Sequence, residues 1–271
     1  MIARVGRWLF LGGFVAIIAA PVYIVIVSTV KDNAQLFTNP IGLPSPIVLS
    51  NYVRMLTESS IDTSFRNSVV VTAAAVVLTL LLASLASFGI TRLTRVSGGL
   101  LFGLFILGLA VPAQVNIIPI FLQFKSLGLT NSLVGLIIIN IASTLPISVF
   151  ILTTFFRQLP PDMFESAVLD GAGYLRQYLS IALPLSRPAL GATSIFLLVI
   201  VWNDLLYPLL LITEQSKWTL PRTLLGFQGE YLTDYTMIFT GVIIASMPMV
   251  IMYVLLQRFF IAGLTAGAVK G

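Results

Sequence analysis

The sequence predicts an all-α integral membrane protein with six transmembrane helices and both ends on the inner face. Three observations carry this. Apolar residues make up 58% of the 271 and charged residues 9%, where soluble domains average about 45–50% and about 25%. So few charges cannot cover that much apolar surface in water, so the bilayer is the expected solvent. The apolar residues also fall in continuous runs near the ~20 residues a helix needs to cross a ~30 Å hydrocarbon core, without the alternation of barrel strands.

The six runs are residues 8–28, 64–91, 98–123, 133–153, 188–212 and 237–261. The first follows Arg4 and Arg7 but is long and lacks a clean small-x-small cleavage site, so it reads as a span rather than a leader. The second follows an outer loop that Asn39-Pro40 and Pro44-Ser45-Pro46 punctuate as extended and turning. In the third, Gly99-x-x-x-Gly103 is a pattern that allows close helix approach, and Pro112 and Pro119 loosen the helix and free carbonyls. Between the fourth and fifth lies the longest inner loop. The sixth follows an outer loop carrying Trp218, Pro221 and Tyr231. With both ends inside, nine basic residues fall on inner segments and six on outer ones, the sense of the positive-inside rule. The net charge of +5 is therefore read as topology, not as a nucleic-acid surface.

The chain has no Cys and no His, which removes thiol and imidazole chemistry, disulfides and the zinc sites built on those ligands. No Gly-x-x-x-x-Gly-Lys-Ser/Thr phosphate loop is present. Gly171-Ala172-Gly173 begins like a dinucleotide fingerprint, but Arg176 takes the third glycine position and a helix, not a strand, precedes it.

The inner loop, residues 158–187, is the most informative segment. Pro160, Pro161 and Asp162 make a helix start, since proline fits the first turn and an acid suits the positive dipole end. Met163, Phe164, Ala167 and Val168 follow at helical spacing as one apolar face, and Gly171 and Gly173 end the helix. A second helical stretch, 174–183, leads to Pro184. Periodicity leaves two readings open for the amphipathic helix: a rest on lipid headgroups, or a knob for a partner protein.

The loop resembles the Glu-Ala-Ala motif of ATP-binding-cassette importer permeases. That motif runs Glu-Ala-Ala, three residues, Gly, nine residues, Ile, one residue, Leu-Pro. This chain has Glu165-Ser166-Ala167, Gly171, Ile181 and Leu183-Pro184 at those spacings, with Ser166 the one departure. The likeness extends to Asn51-Tyr52, Asn67-Ser68, Trp202-Asn203-Asp204 and the ending from Gly263 to Gly271, and is closest to the carbohydrate branch, similar to the second permease subunit of maltose-type importers. The resemblance implies a single permease domain over 1–271 with the type I importer fold, in a bacterial or archaeal plasma membrane. It implies a second permease subunit, two ATPase subunits that bind ATP and magnesium in place of this chain, and an extracytoplasmic solute-binding protein. It makes Glu165, Ser166, Ala167, Asp170, Gly171, Ile181, Leu183 and Pro184 the ATPase-coupling residues.

Polar side chains inside spans are costly and so are candidates for a sugar path. Gln114 and Asn116 either line such a path or join neighbouring helices, and Asn203 and Asp204 either gate its outer mouth or pair structurally. Trp202 and Tyr207 are interfacial anchors or a stacking surface. A secondary transporter would need titratable groups in its spans to couple an ion gradient, and only Asp204 qualifies. An intramembrane enzyme would need paired acids or a Ser–Lys pair at membrane depth, and neither is present.

Overall fold

The computed structural model describes residues 2–229 and 233–268. The helices run, in order, α1 (Ile2–Ser28), α2 (Asn33–Thr38), α3 (Ser50–Thr57), α4 (Ile61–Arg92), α5 (Arg95–Leu109), α6 (Ile117–Ser126), α7 (Leu133–Phe156), α8 (Pro161–Leu169), α9 (Tyr174–Gln177), α10 (Leu183–Leu185), α11 (Arg187–Trp202), α12 (Leu206–Leu211), α13 (Leu220–Leu225) and α14 (Tyr235–Ala268). Among the described residues the β-structure is an isolated antiparallel bridge between Gln228 and Thr233. Residues 269–271 of the motif-like ending, and Tyr231 of the last outer loop, lie outside the described residues.

Four helices, α1, α4, α7 and α14, are each long and apolar enough to cross a membrane. The third and fifth expected spans are not single helices. The third is α5 and α6, bent by 81° across a break at 110–112 and a 3₁₀ turn at Ala113–Asn116. Pro112 cannot supply the N–H that would continue α5, and its ring disfavours helix at the preceding residue. The fifth is α11 and α12, since α11 stops at Trp202 and α12 restarts at Leu206; the inner-loop stretch α9–α10 that leads into it meets α11 at 74°. A Cβ added at Gly99 or Gly103 would meet nothing within 4 Å, so neither glycine mediates a close approach. Gly98 does: a Cβ there would lie 2.7 Å from the Ile90 carbonyl oxygen, and one at Gly108 would lie 3.2 Å from the Pro146 ring.

The chain divides into two compact units, 1–65 with 219–248, and 66–218 with 249–271. In the first, the loop after α1 closes on itself. Lys31 is fully buried, and its ammonium donates to the carbonyls of Asn39 (2.8 Å) and Pro40 (3.0 Å). The Asn51 amide donates to the carbonyls of Thr29 (2.9 Å) and Lys31 (2.7 Å), and the Tyr52 hydroxyl reaches Thr29 Oγ1 at 2.9 Å. The Asn51-Tyr52 pair is thus a clasp on the loop.

Asp234 opens α14 in the same unit. Its Oδ1 accepts from the Met237 N–H (3.1 Å) and the Thr236 hydroxyl (2.8 Å), Asn33 donates to it at 3.3 Å, and Arg54 pairs with Oδ2 at 3.5 Å. Burial raises the Asp234 pKa, but these donors and Arg54 outweigh it and hold the carboxyl below its ordinary range. A depressed folded-state pKa means the stabilisation is present above the unfolded value near ~3.9 and is lost as the pH falls through the folded value. The thermal unfolding midpoint should therefore drop below about pH 4, and Asp234→Asn should flatten that dependence while lowering the midpoint at neutral pH.

The second unit is built around α4 and α7. Val71, Ala75, Val76, Leu136, Ile139, Leu197 and Leu211 form one buried cluster, and Ala83, Ile90, Val149, Leu152 and Ala189 a second. Hydroxyls bridge the two long helices: Thr79 meets Thr144 at 3.3 Å, and Ser87 donates to the Val149 carbonyl at 3.2 Å. Asn67, half of the Asn67-Ser68 pair, donates to the carbonyls of Ser216 and Trp218, both at 2.9 Å, and so holds the loop before α13.

Candidate functional site

The loop helix α8 forms where its sequence places it. Pro160 is the N-cap, Pro161 opens the first turn and Asp162 sits in it. The helix ends in a Schellman motif. Gly171 stands at φ +75°, its N–H donates to the Val168 carbonyl (3.0 Å), and the Ala172 N–H reaches back to the Ala167 carbonyl (2.8 Å). Only glycine takes that conformation without a Cβ penalty. Gly173, expected to help end α8, instead caps the start of α9 with an extended backbone.

The buried face of α8 is narrower than expected. Phe164 and Ala167 are buried, but Met163 and Val168 are exposed and Leu169 is 89% exposed. The expected apolar face spans more of the helix circumference than the bundle covers. Phe164 joins Phe88, Phe156, Tyr178 and Ala182 in an aromatic cluster against which Ile181 and Leu183 pack. The Arg92 guanidinium lies 3.7 Å from the Phe164 ring centroid and 5.0 Å from that of Phe88, a cation–π arrangement. A π-helical turn, Tyr178–Ala182, points the Tyr178 hydroxyl at Ser84 Oγ, 2.7 Å away on α4. Buried Gln177 donates to the Ala172 carbonyl at 2.8 Å, fixing the link between α8 and α9.

The motif residues thus divide. Ala167 is buried, and Ile181 and Leu183 are half-buried against the aromatic cluster, while Glu165, Ser166, Asp170, Gly171 and Pro184 face outward. Ser166 turns its hydroxyl back to the Asp162 carbonyl at 2.9 Å, which explains how a polar residue sits there without a partner outside the helix. The result is a short helix with its inner face locked to the ends of α4 and α7 and an outer face of mixed apolar and acidic character.

The polar span residues do not converge as one group. Asn116 lines a cleft of about 590 Å³ with Gln123, Ser143 and Tyr207, and Gln114 is exposed outside that lining. Asp204 accepts from the Tyr207 N–H and from the Asn140 amide, each at 3.3 Å, and so caps the start of α12 and ties it to α7. Asn203 is exposed and donates to the Val199 carbonyl at 2.8 Å, a local bond within its own helix end. Asn140 is a residue that sequence reasoning missed. It is buried, it heads a stripe with Thr144 and Ser148 at intervals of four, and the Thr144 and Ser143 hydroxyls donate to its carbonyl at 2.6 and 3.1 Å. That spacing is the signal that would have found it.

Apolar helices long enough to cross a membrane, hydroxyls joining α4 to α7 and a capped loop helix after α7 have known counterparts. The family model described as binding-protein-dependent transport system inner membrane component matches residues 80–265. The chain belongs to this permease family. The permease is 33% identical to the multiple sugar-binding transport system permease protein MsmG of Streptococcus mutans, over 97% of this chain and 95% of that one. It is 32% identical to the trehalose/maltose transport system permease protein MalG of Thermococcus litoralis (92% and 90% covered). It is 31% identical to the diacetylchitobiose uptake system permease protein NgcG of Streptomyces coelicolor (94% and 85% covered). Its fold matches a chain in the crystal structure of a bacterial ABC transporter involved in the import of the acidic polysaccharide alginate, with a TM-score of 0.83, 20% identity and 96% of both chains covered. The permease is thus a membrane protein of the sugar-importer permease kind, helical among the described residues, and the relatives named are permease proteins of transport and uptake systems.

Proposed function

We propose that this permease forms, with a second permease subunit, the membrane path of an importer for a carbohydrate delivered by an extracytoplasmic solute-binding protein. On this reading α5–α6 makes one crossing and α11–α12 another, giving six crossings with both ends inside, and residues 1–271 make one permease domain. Two ATPase subunits bind ATP and magnesium; α8 docks on them and carries their closing motion to α4 and α7, so that the spans alternate between inward- and outward-open states. The cleft beside Asn116, Gln123, Ser143 and Tyr207 offers amide and hydroxyl groups to sugar hydroxyls, and its volume of about 590 Å³ falls in the ~300–1,000 Å³ range of small-molecule sites.

The observation that carries this is the split character of α8. Phe164 and Ala167 bind it inward, while Glu165, Val168 and Leu169 face away from the bundle, with no hydrogen bond from the Glu165 side chain among the described residues. An outward acid beside exposed apolar residues is a docking face. Glu165→Lys changes that face and leaves the chain's own packing intact. The expected result is a normal unfolding midpoint with ATP-driven uptake reduced at least about tenfold, a loss of ~1.4 kcal/mol in coupling. Unchanged uptake and unchanged copurification of the ATPase would sink the docking reading.

A further inference from the structure

A cavity of about 640 Å³ lies between the α4–α5 turn, the end of α7 and the start of α8. Among the described residues three cations line it, Arg92, Arg95 and Arg157, and no carboxylate does. None of the three takes part in an ion pair with another described residue. Arg92 Nε is buried with no hydrogen-bond partner among the described residues, and its guanidinium lies over the rings of Phe164 and Phe88. The first turn of α5 opens on the same space through Gly98 and Gly99, and Thr94 caps it at 3.3 Å from the Ser97 N–H. The space around Gly99 where a Cβ would stand is open, which leaves backbone near the positive end of a 15-residue helix within reach of a ligand.

What separates the candidate anions is the exposed surface of α5, the helix whose first residues Arg95, Gly98 and Gly99 line the pocket. Val96, Leu100, Leu104 and Leu107 follow one another up α5 at intervals of four, four and three, and each is more than 60% exposed. A basic seat at the foot of an unbroken apolar stripe has the shape of a phospholipid, with a phosphate below and acyl chains along the helix. A soluble anion or an acidic protein surface would gain nothing from the stripe.

We propose that this pocket holds the phosphate headgroup of an anionic phospholipid of the inner leaflet, with its acyl chains along the outer stripe of α5. The placement in the inner leaflet rests on the orientation given under the proposed function. Because Pro161 and Phe164 of α8 are part of the wall, an occupied pocket also fixes the seat of the loop helix.

The test uses the full chain in mild detergent, offered equal dioleoylphosphatidylglycerol and dioleoylphosphatidylcholine, with retained lipid read by native mass spectrometry. The expected result is a preference of about tenfold for phosphatidylglycerol, reduced to parity by Arg95→Gln with Arg157→Gln and unaltered by Lys217→Gln on another loop. Arg95 and Arg157 are exposed, and Arg157 also lies 4.5 Å from the Phe102 ring centroid, so the double variant should lose no more than that one cation–π contact in its unfolding midpoint, and the lipid preference of each single variant should fall between those of the parent and the double variant. Excess inorganic phosphate should leave the retained lipid in place. Displacement by phosphate would assign the seat to a soluble anion and overturn the lipid. Equal retention of the two lipids by the parent chain would overturn it as well and leave the arginines to an acidic partner surface; an undiminished preference in the double variant would place the lipid elsewhere. The readout is separate from transport: if Glu165→Lys leaves uptake intact while the lipid preference holds, the docking reading fails and the lipid site stands.

Discussion

Replacing Phe164 with alanine is expected to release α8 from the bundle. The ring is 4% exposed, packs against Phe88, with ring centroids 6.4 Å apart, and carries the Arg92 guanidinium on its face. Truncating a buried phenylalanine costs about 3–5 kcal/mol, and the lost cation–π contact adds about 0.5–1 kcal/mol. At ~1.4 kcal/mol per tenfold, the docked fraction of α8 should fall by more than about a hundredfold relative to the undocked one. Limited proteolysis should then cut within 158–187 far faster than in the parent chain, and ATP-driven uptake should collapse while the chain still inserts. Phe164→Leu, which keeps most of the apolar volume, should recover much of both. Equal cleavage rates for the parent and the alanine variant would show that the aromatic cluster does not hold the loop.

The second large effect is expected at Gly171. Its φ of +75° is costly for any side chain and worst for a β-branched one, about 1–2 kcal/mol or more. A Cβ there meets nothing within 4 Å, so the penalty is one of backbone conformation and not of collision. That distinction gives an ordered series. Uptake should fall from glycine to asparagine, which tolerates the left-handed region, then to alanine, then to valine. A series that followed side-chain volume, with asparagine no better than valine, would point to a contact with a partner at this position in place of backbone strain.

Gly171 is readable in the sequence because its role depends on a local conformational rule. The same holds for the proline start of α8 and for the apolar runs that fold as α1, α4, α7 and α14, each long and apolar enough to cross a membrane. The bends are not readable. A hydropathy run sums the apolar character of its residues and carries no direction, so residues 98–123 look continuous although the chain turns by 81° within them. Pro112 signals a loosening of that helix, but whether a proline kinks a helix or breaks it depends on what packs around it. Gly173 reads as the end of one helix when it begins the next, since glycine marks a boundary without saying which side it serves. The arginine on Phe164 joins residues 72 apart in the chain, beyond any local pattern. Asn140, Thr144 and Ser148 escape notice for another reason: three polar residues in a strongly apolar run barely change its average, and only their common face distinguishes them.

The basic pocket also bears on how many times the chain passes through the bilayer. It draws together residues 90–99, around the start of α5, and residues 156–164, beyond the end of α7. On the orientation given under the proposed function these two stretches stand on one side of the membrane, so the number of passages between them is even. If α7, with its 24 residues, accounts for one, the bent pair α5–α6 has to account for another. Its halves, 15 and 10 residues long, reach only about 22 and 15 Å at ~1.5 Å per residue, so neither alone spans the ~30 Å core. Further on, the Asn131 N–H meets the Leu211 carbonyl at 2.6 Å, which brings the end of α12 back beside the start of α7. On that same reading, the stretch from α11 to α12 returns to the far side. A dockable tag at Ser166 and another at Asn131, probed from opposite faces of sealed vesicles, would read that arithmetic directly, and the absence of cysteine in the chain leaves a clean background for placing them.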